Sequence, residues 1–154
     1  MLIEADYRDK KATLAYNGLS FSVPKRLHII GMMNTADRSL AMIDYALRRR
    51  FSFFDMEPGF DSEGFINYQN SFANETFNTL IERIKELNKE IAQDKALGKG
   101  FCIGHSYFCN VNDCAEEWMK DVVDFDILPM LSEYWFDESS KLQRWENILH
   151  GVFQ

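Results

Sequence analysis

Two groups of residues in this chain are of types that handle phosphate. Arg48, Arg49 and Arg50 stand together at the end of a helix-like pattern, and the polar tetrapeptide Asn34-Thr35-Ala36-Asp37 breaks off an apolar run. Guanidinium forks match phosphate oxygens, and an arginine reaching across a subunit boundary is a common way to stabilise phosphoryl-transfer charge. The same arginines have a plainer use. Cations at a helix C-terminus complement its dipole, and Asp44 is spaced to pair with Arg48 at i,i+4. A third group, Gly104-His105-Ser106, sets two hydrogen-bonding side chains behind a residue that lets backbone approach a ligand. A lone histidine, however, more often serves packing.

The elements that must position the first two groups read as strand, polar loop, helix, strand. Leu27 to Met33 is a short, nearly continuous apolar segment, the composition of a buried parallel strand. Asp37 is placed to cap a following helix in which Leu40, Ile43, Ala46 and Leu47 recur at helical spacing. A second apolar run, Phe51 to Met56, stops at Pro58-Gly59. Open α/β sheets hold their ligands beyond the carboxyl ends of strands, and Asn34 stands at such an end. Upstream, Ala12–Tyr16 and Leu19–Val23 flank Asn17-Gly18, a dipeptide suited to a tight hairpin turn. Pro24 closes that hairpin and Lys25-Arg26 form a solvated edge. Met1 to Asp9 is short and mixed, and reads as the tail of a helix.

Past Pro58-Gly59 the pattern turns helical, which puts a domain boundary there: residues 1–59 and residues 60–154. Asp61 to Phe72 is a short helix. Asn74 caps a longer one whose Phe77, Leu80, Ile81, Ile84, Leu87 and Ile91 make one apolar stripe. Gly98 ends it through a left-handed residue. Asp113 is expected to cap the next helix, with Trp118, Val122, Val123 and Phe125 on its buried side, and Pro129 falls inside or kinks this pattern. Tyr134, Trp135 and Phe136 form an aromatic cluster suited to core packing. A last helix runs from about Glu138 to His150 with Leu142, Trp145, Ile148 and Leu149 inward and Gly151 as its stop.

These residues resemble a known family. Ile29-Ile30-Gly31-Met32-Met33-Asn34-Thr35-Ala36-Asp37-Arg38-Ser39, followed by Asp44-Tyr45-Ala46-Leu47-Arg48-Arg49-Arg50-Phe51, is similar to the C-terminal part of McrB-type AAA+ GTPases, motor subunits of modified-cytosine-dependent restriction systems. Gly100-Phe101, Ile103-Gly104-His105-Ser106-Tyr107-Phe108 and Pro129-Met130-Leu131-Ser132-Glu133-Tyr134 extend the resemblance, which runs from about Phe21 onward. It implies an α/β fold class: the late strands and arginine-finger helix of an AAA+ P-loop NTPase core, followed by a small all-α lid. It implies Asn34 as sensor 1, orienting the attacking water, and Arg49 and Arg50 as trans-acting arginine-finger candidates. Asn34, Asp37, Gly104, His105 and Ser106 would border the nucleotide, the last three in the region of the second sensor. The Asn34–Asp37 tetrapeptide also invites comparison with the guanine-reading NKxD signature. A residue beside the γ-phosphate does not easily also reach the base, so the preference between nucleotides rests on the resemblance alone.

Bulk properties bound the alternatives. The chain has 154 residues, 46% hydrophobic and 14% aromatic, enough for one domain or for half of a larger one with an appendage. A net charge of −7 argues against a surface that gathers nucleic-acid backbone, so DNA is expected to be contacted elsewhere. No apolar run approaches the roughly 20 residues of a membrane span, and no basic-then-apolar leader opens the chain, so a cytoplasmic, membrane-free protein is expected. Cys102, Cys109 and Cys114 are expected to be free thiols. His105, Cys109 and Cys114 lack the paired spacing of a zinc site, and no metal ligands are assigned.

No GxxxxGK[ST] occurs in these residues; Gly98-Lys99-Gly100 has neither the spacing nor the hydroxyl. Phe53-Phe54-Asp55-Met56-Glu57 resembles a Walker B strand only superficially, because it follows the arginine helix. The expectation is therefore a McrB-like fragment whose GTP or ATP, with Mg2+, is gripped in the complete module and does not bind tightly to this chain alone. The implied partners are a homo-oligomeric AAA+ ring and a McrC-like nuclease subunit. The alternative is a stand-alone, non-catalytic module that docks on a P-loop-bearing AAA+ partner.

Overall fold

The computed structural model describes residues 2–34, 48–109 and 111–154. They divide into two compact units, Met1–Asp55 and Met56–Gln154.

In the first unit the expected hairpin is present and short. β1 (Ala12–Thr13) pairs antiparallel with β2 (Ser20–Phe21), Ala12 opposite Phe21 and Thr13 opposite Ser20. Gly18 takes φ +68°, but Asn17 takes no positive φ and Leu14, not Tyr16, meets Leu19 (amide to carbonyl, 2.9 Å), so the connection is a wider loop than the two-residue turn expected, with the Asn17 side chain accepting from the Leu19 amide at 3.0 Å. Polar contacts to carbonyls hold the rest. Arg8 donates to the carbonyls of Ile3, Pro24 and Leu27 at 3.0, 3.3 and 3.1 Å, and the Asp9 amide donates to the Val23 carbonyl at 2.9 Å. Val23 is buried; most neighbouring apolar side chains are not.

The late core strands are not formed. Leu27–Met33 makes no strand, and Ile30 and Met32 are 90% and 97% exposed. Phe51–Met56 is likewise irregular, with Phe54 and Met56 exposed. The physical reason is cover: a parallel strand needs neighbours on both edges and both faces, and the described residues supply only the small hairpin. The expected helix carrying Leu40, Ile43, Ala46 and Leu47, its Asp37 cap and the Asp44–Arg48 pair lie outside the described residues.

The second unit is all-helical. α1 (Glu63–Ser71) is capped by Ser62, whose hydroxyl accepts from the Phe65 amide. α2 (Glu75–Gln93) is capped by Asn74, whose Oδ1 accepts from the Phe77 amide at 3.0 Å while its Nδ2 donates to the Cys114 carbonyl at 3.0 Å. All six residues of the stripe, Phe77 through Ile91, are fully buried. Burial of that kind contributes about 1.5–3 kcal/mol per side chain. α2 ends at Asp94, not at Gly98; Gly98 follows with φ +89° and returns its amide to the Ile91 carbonyl at 3.2 Å.

A continuous helical run follows: α3 (Glu116–Asp121), a π-helical segment (Val122–Ile127) and α4 (Leu128–Tyr134). Its start is Ala115, with no side-chain cap, so Asp113 does not cap it. Pro129 has no amide to donate and would crowd the carbonyl of Phe125, four residues back. The wider π turn absorbs that conflict, with the Leu128 amide reaching Val123. The turn also rotates Phe125 outward, so it is 73% exposed where helical spacing had put it inside. Trp135 alone of the aromatic trio is buried; Phe136 is exposed. α5 (Ser139–His150) turns Trp145 and Leu149 inward, then continues into a 3-10 turn at Gly151–Phe153, so Gly151 does not stop the chain by a left-handed turn.

Asp94 fastens α2 to α5. Its carboxylate accepts from Lys141 Nζ at 2.6 Å, Trp135 Nε1 at 3.1 Å and the Ala96 amide at 2.8 Å. The Lys141 ammonium beside it, with those amide and indole donors, lowers its pKa from 3.8 to about 2. Because the folded value lies below the unfolded one, the stabilisation is complete above about pH 4 and is lost as pH falls towards 2. Asp94→Asn is therefore expected to cost about 1–2 kcal/mol at pH 7 and little at pH 2, measured by urea unfolding followed through the three tryptophans.

Candidate functional site

Gly104-His105-Ser106 is positioned by α2. Asn88 lies on the same side as Ile84 and Ile91, and its side chain grips the backbone of Ile103 twice: Oδ1 accepts from the amide at 2.6 Å and Nδ2 donates to the carbonyl at 2.9 Å. Ile103 is buried, and the next residues turn into a 3-10 helix, His105–Phe108, with Gly104 at its start. Gly104 is tight only against its neighbour, since a Cβ there would meet Ser106 Oγ at 3.3 Å.

His105 is directed to its own unit. Its Nδ1 accepts from the Gly59 amide at 3.0 Å, and its ring stands edge-on to Phe60 and Phe65 at 6.1 and 5.7 Å between centroids. An accepting Nδ1 carries a lone pair, so in this geometry the ring proton sits on Nε2. A Cβ on Gly59 would lie 3.1 Å from the ring, so the imidazole would have to give way by a few tenths of an ångström to admit one. Ser106 is exposed. The sequence offered His105 both as a packing histidine and, through the resemblance, as a residue bordering the nucleotide; it assigned Asn88 no role and Gly59 only that of closing the preceding run. The signal for Asn88 was available: it is a polar residue in an otherwise apolar helical stripe.

In the first unit Asn34 is exposed and outside regular structure, and Asp37 lies outside the described residues. Arg49 is exposed, in the turn that follows Arg48. Arg50 is more enclosed. Its Nε pairs with Glu4, and that guanidinium holds the Glu4 carboxyl below the usual carboxylate range. Arg48 stacks over the Phe53 ring at 5.2 Å. A cavity of about 290 Å³ is lined by Ile3, Arg8, Leu27, His28, Arg50 and Phe51, among others. The two arginine candidates therefore differ in burial: Arg49 is exposed and Arg50 is half-buried.

The cysteines are free thiols and poor nucleophiles. Burial raises all three, with Cys114 pushed up to about 11. Among the described residues no group of three His, Cys, Asp or Glu side chains converges as a metal site. No helix among them is long and apolar enough to cross a membrane.

Comparison with known proteins adds two findings. Residues 79–143 match the family described as McrB, alpha-helical lid domain. The chain is also similar to the Type IV methyl-directed restriction enzyme EcoKMcrB subunit of Escherichia coli (strain K12), 48% identical over 163 aligned positions that cover 98% of this chain. It spans only 36% of that relative's length. The match takes in a C-terminal part of the relative, so the resemblance read from the motifs holds across the chain and the helical lid is identified.

The close fit of Gly59 against His105 carries a consequence. Gly59→Ala is expected to destabilise the helical unit by about 1 kcal/mol, because the ring must shift and stretch its hydrogen bond. Tryptophan-monitored urea unfolding checks this, and a more stable alanine variant would contradict the geometry.

Proposed function

We propose that this chain is the lid-bearing part of a McrB-like AAA+ motor subunit, in which NTP hydrolysis drives a modified-DNA-specific restriction complex. The observation that carries the reading is the similarity over nearly the whole chain to a restriction-enzyme subunit, joined to the lid match at residues 79–143. The exposure of Leu27–Met33 supports it. A run of that composition is built to lie between parallel strands, as it would in a complete nucleotide-binding core.

In this reading GTP or ATP is the substrate, and the grip on its phosphates and on Mg2+ belongs to P-loop and acidic residues of the complete subunit. This chain contributes polar side chains around the reaction. Asn34 acts as sensor 1 and orients the attacking water. Arg49 and Arg50 face the nucleotide of the adjacent protomer in a homo-oligomeric ring, one of them as the arginine finger. Arg50 supports that turn through its pair with Glu4. Asp37 and Gly104-Ser106 border the site from the loop and from the lid. A McrC-like nuclease subunit performs cleavage, and DNA is contacted by other parts of the motor.

The finger assignment has a kinetic signature. In the complete motor loss of the finger, by Arg49→Ala or Arg50→Ala, is expected to lower steady-state hydrolysis by about 10³–10⁵ while leaving nucleotide affinity within a few-fold. Arg50→Ala is expected to lower the stability of its turn together with turnover. Unchanged turnover in both variants would remove the arginine-finger assignment. Asn34→Ala, measured in the same assay, should reduce turnover without weakening binding.

A further inference from the structure

The 3-10 turn His105–Phe108 has one inner side and two outer ones. A 3-10 helix has three residues per turn, so side chains three apart lie over one another. His105 and Phe108 share the inner side: each ring stands 6.1 Å from the Phe60 ring between centroids, and Phe108 is fully buried. Both ends of the turn are secured. Asn88 holds the backbone of Ile103 ahead of it, and behind it the Cys109 amide donates to the Ser106 carbonyl and the Cys109 thiol to the His105 carbonyl, each at 3.3 Å. The two residues between, Ser106 and Tyr107, fall on the outer sides and are exposed, Tyr107 at 40%. Tyr107 borders further aromatic surface. Tyr134 stands edge-on to Phe101 at 5.3 Å, and burial, with the Tyr107 phenol adding to it, raises the Tyr134 phenol.

We propose that Tyr107 is the residue this turn presents to the nucleotide, its ring the surface on which the base stacks, with the Ser106 hydroxyl beside it. The proposal rests on the reading of this chain as the lid of a nucleotide-hydrolysing motor and names the contact residue within that lid. The geometry selects it. Of the four side chains in the turn, the two rings at His105 and Phe108 are packed towards Phe60, so the aromatic face left for a ligand is that of Tyr107. A tyrosine on a secured backbone suits the task, because it offers a large flat apolar face and has only two side-chain torsions to immobilise. Stacking does not read the edges of a base, since every base has a π-face. Tyr107 therefore supplies affinity for the nucleotide and none of the choice between GTP and ATP. Asn88 is the positioning residue, acting through Ile103 on where the turn begins.

The complete motor subunit is the protein in which to test this, with GTP and ATP as the probes in equilibrium binding and in steady-state hydrolysis. Tyr107→Ala is expected to raise Kd and KM by about 5- to 100-fold for both nucleotides in equal proportion, with kcat kept within a few-fold. Tyr107→Phe retains the ring face and is expected to stay within about 2-fold of the unmodified motor. A loss of affinity shared by the phenylalanine variant would assign the effect to the hydroxyl and overturn stacking. Photolabelling of the unmodified motor with azidopurine nucleoside triphosphates depends on no variant folding. The label is expected on the peptide that carries Ser106 and Tyr107; label confined to other peptides would overturn the proposal. A motor that hydrolyses NTP with unchanged KM in Tyr107→Ala overturns this proposal alone, whereas a complete subunit that binds neither nucleotide overturns the lid reading with it.

Discussion

The helical unit depends on one face of α2. Six side chains from Phe77 to Ile91 leave water completely, and α1, the run from α3 through α4, and α5 contribute the residues that cover them. The polar features of the unit are fastened to the same helix. Asn74 at its start ties down the Cys114 loop, Asn88 in its middle grips Ile103, and Asp94 at its end gathers Lys141, Trp135 and Ala96. Apolar burial thus supplies the stability, and three polar residues spaced along the helix fix where each connection returns.

His105 illustrates how that arrangement reaches the candidate site. Asn88 sets Ile103, Ile103 sets the 3-10 turn, and the turn sets an imidazole whose Nδ1 is already engaged by Gly59. A residue type that suggests ligand chemistry here also holds the chain's own backbone. The first unit follows a different logic. Arg8 and Asp9 organise it through backbone carbonyls and amides, Glu4 restrains Arg50, and its apolar runs face outward. Arg48 and Arg49 are both exposed there.

Much of the helical unit was legible in the sequence because its signals are local. The stripe of α2 and the Asn74 cap depend on spacing and on side-chain chemistry within a few residues. The errors arise where a distant or cumulative effect decides. Leu27–Met33 has the composition of a buried strand, but a strand exists only with partners, and composition cannot provide them. Phe125 fits the apolar spacing of an α-helix, but Pro129 favours a wider turn and the register changes. Gly98 and Gly151 resemble helix stops; one lies beyond the end of α2 and the other passes into a 3-10 turn. At the site, the arginine cluster was visible, yet the pairing of Arg50 with Glu4 spans 46 residues and has no local signature.

The account's central claim is that these residues work as the lid-bearing part of a larger motor subunit. The most direct measurement is the composition of the native gene product, captured from source cells with an antibody raised against this chain and sequenced by peptide mass spectrometry. The account predicts a longer polypeptide whose upstream peptides include a GxxxxGK[ST] loop. A native product confined to these 154 residues would contradict it.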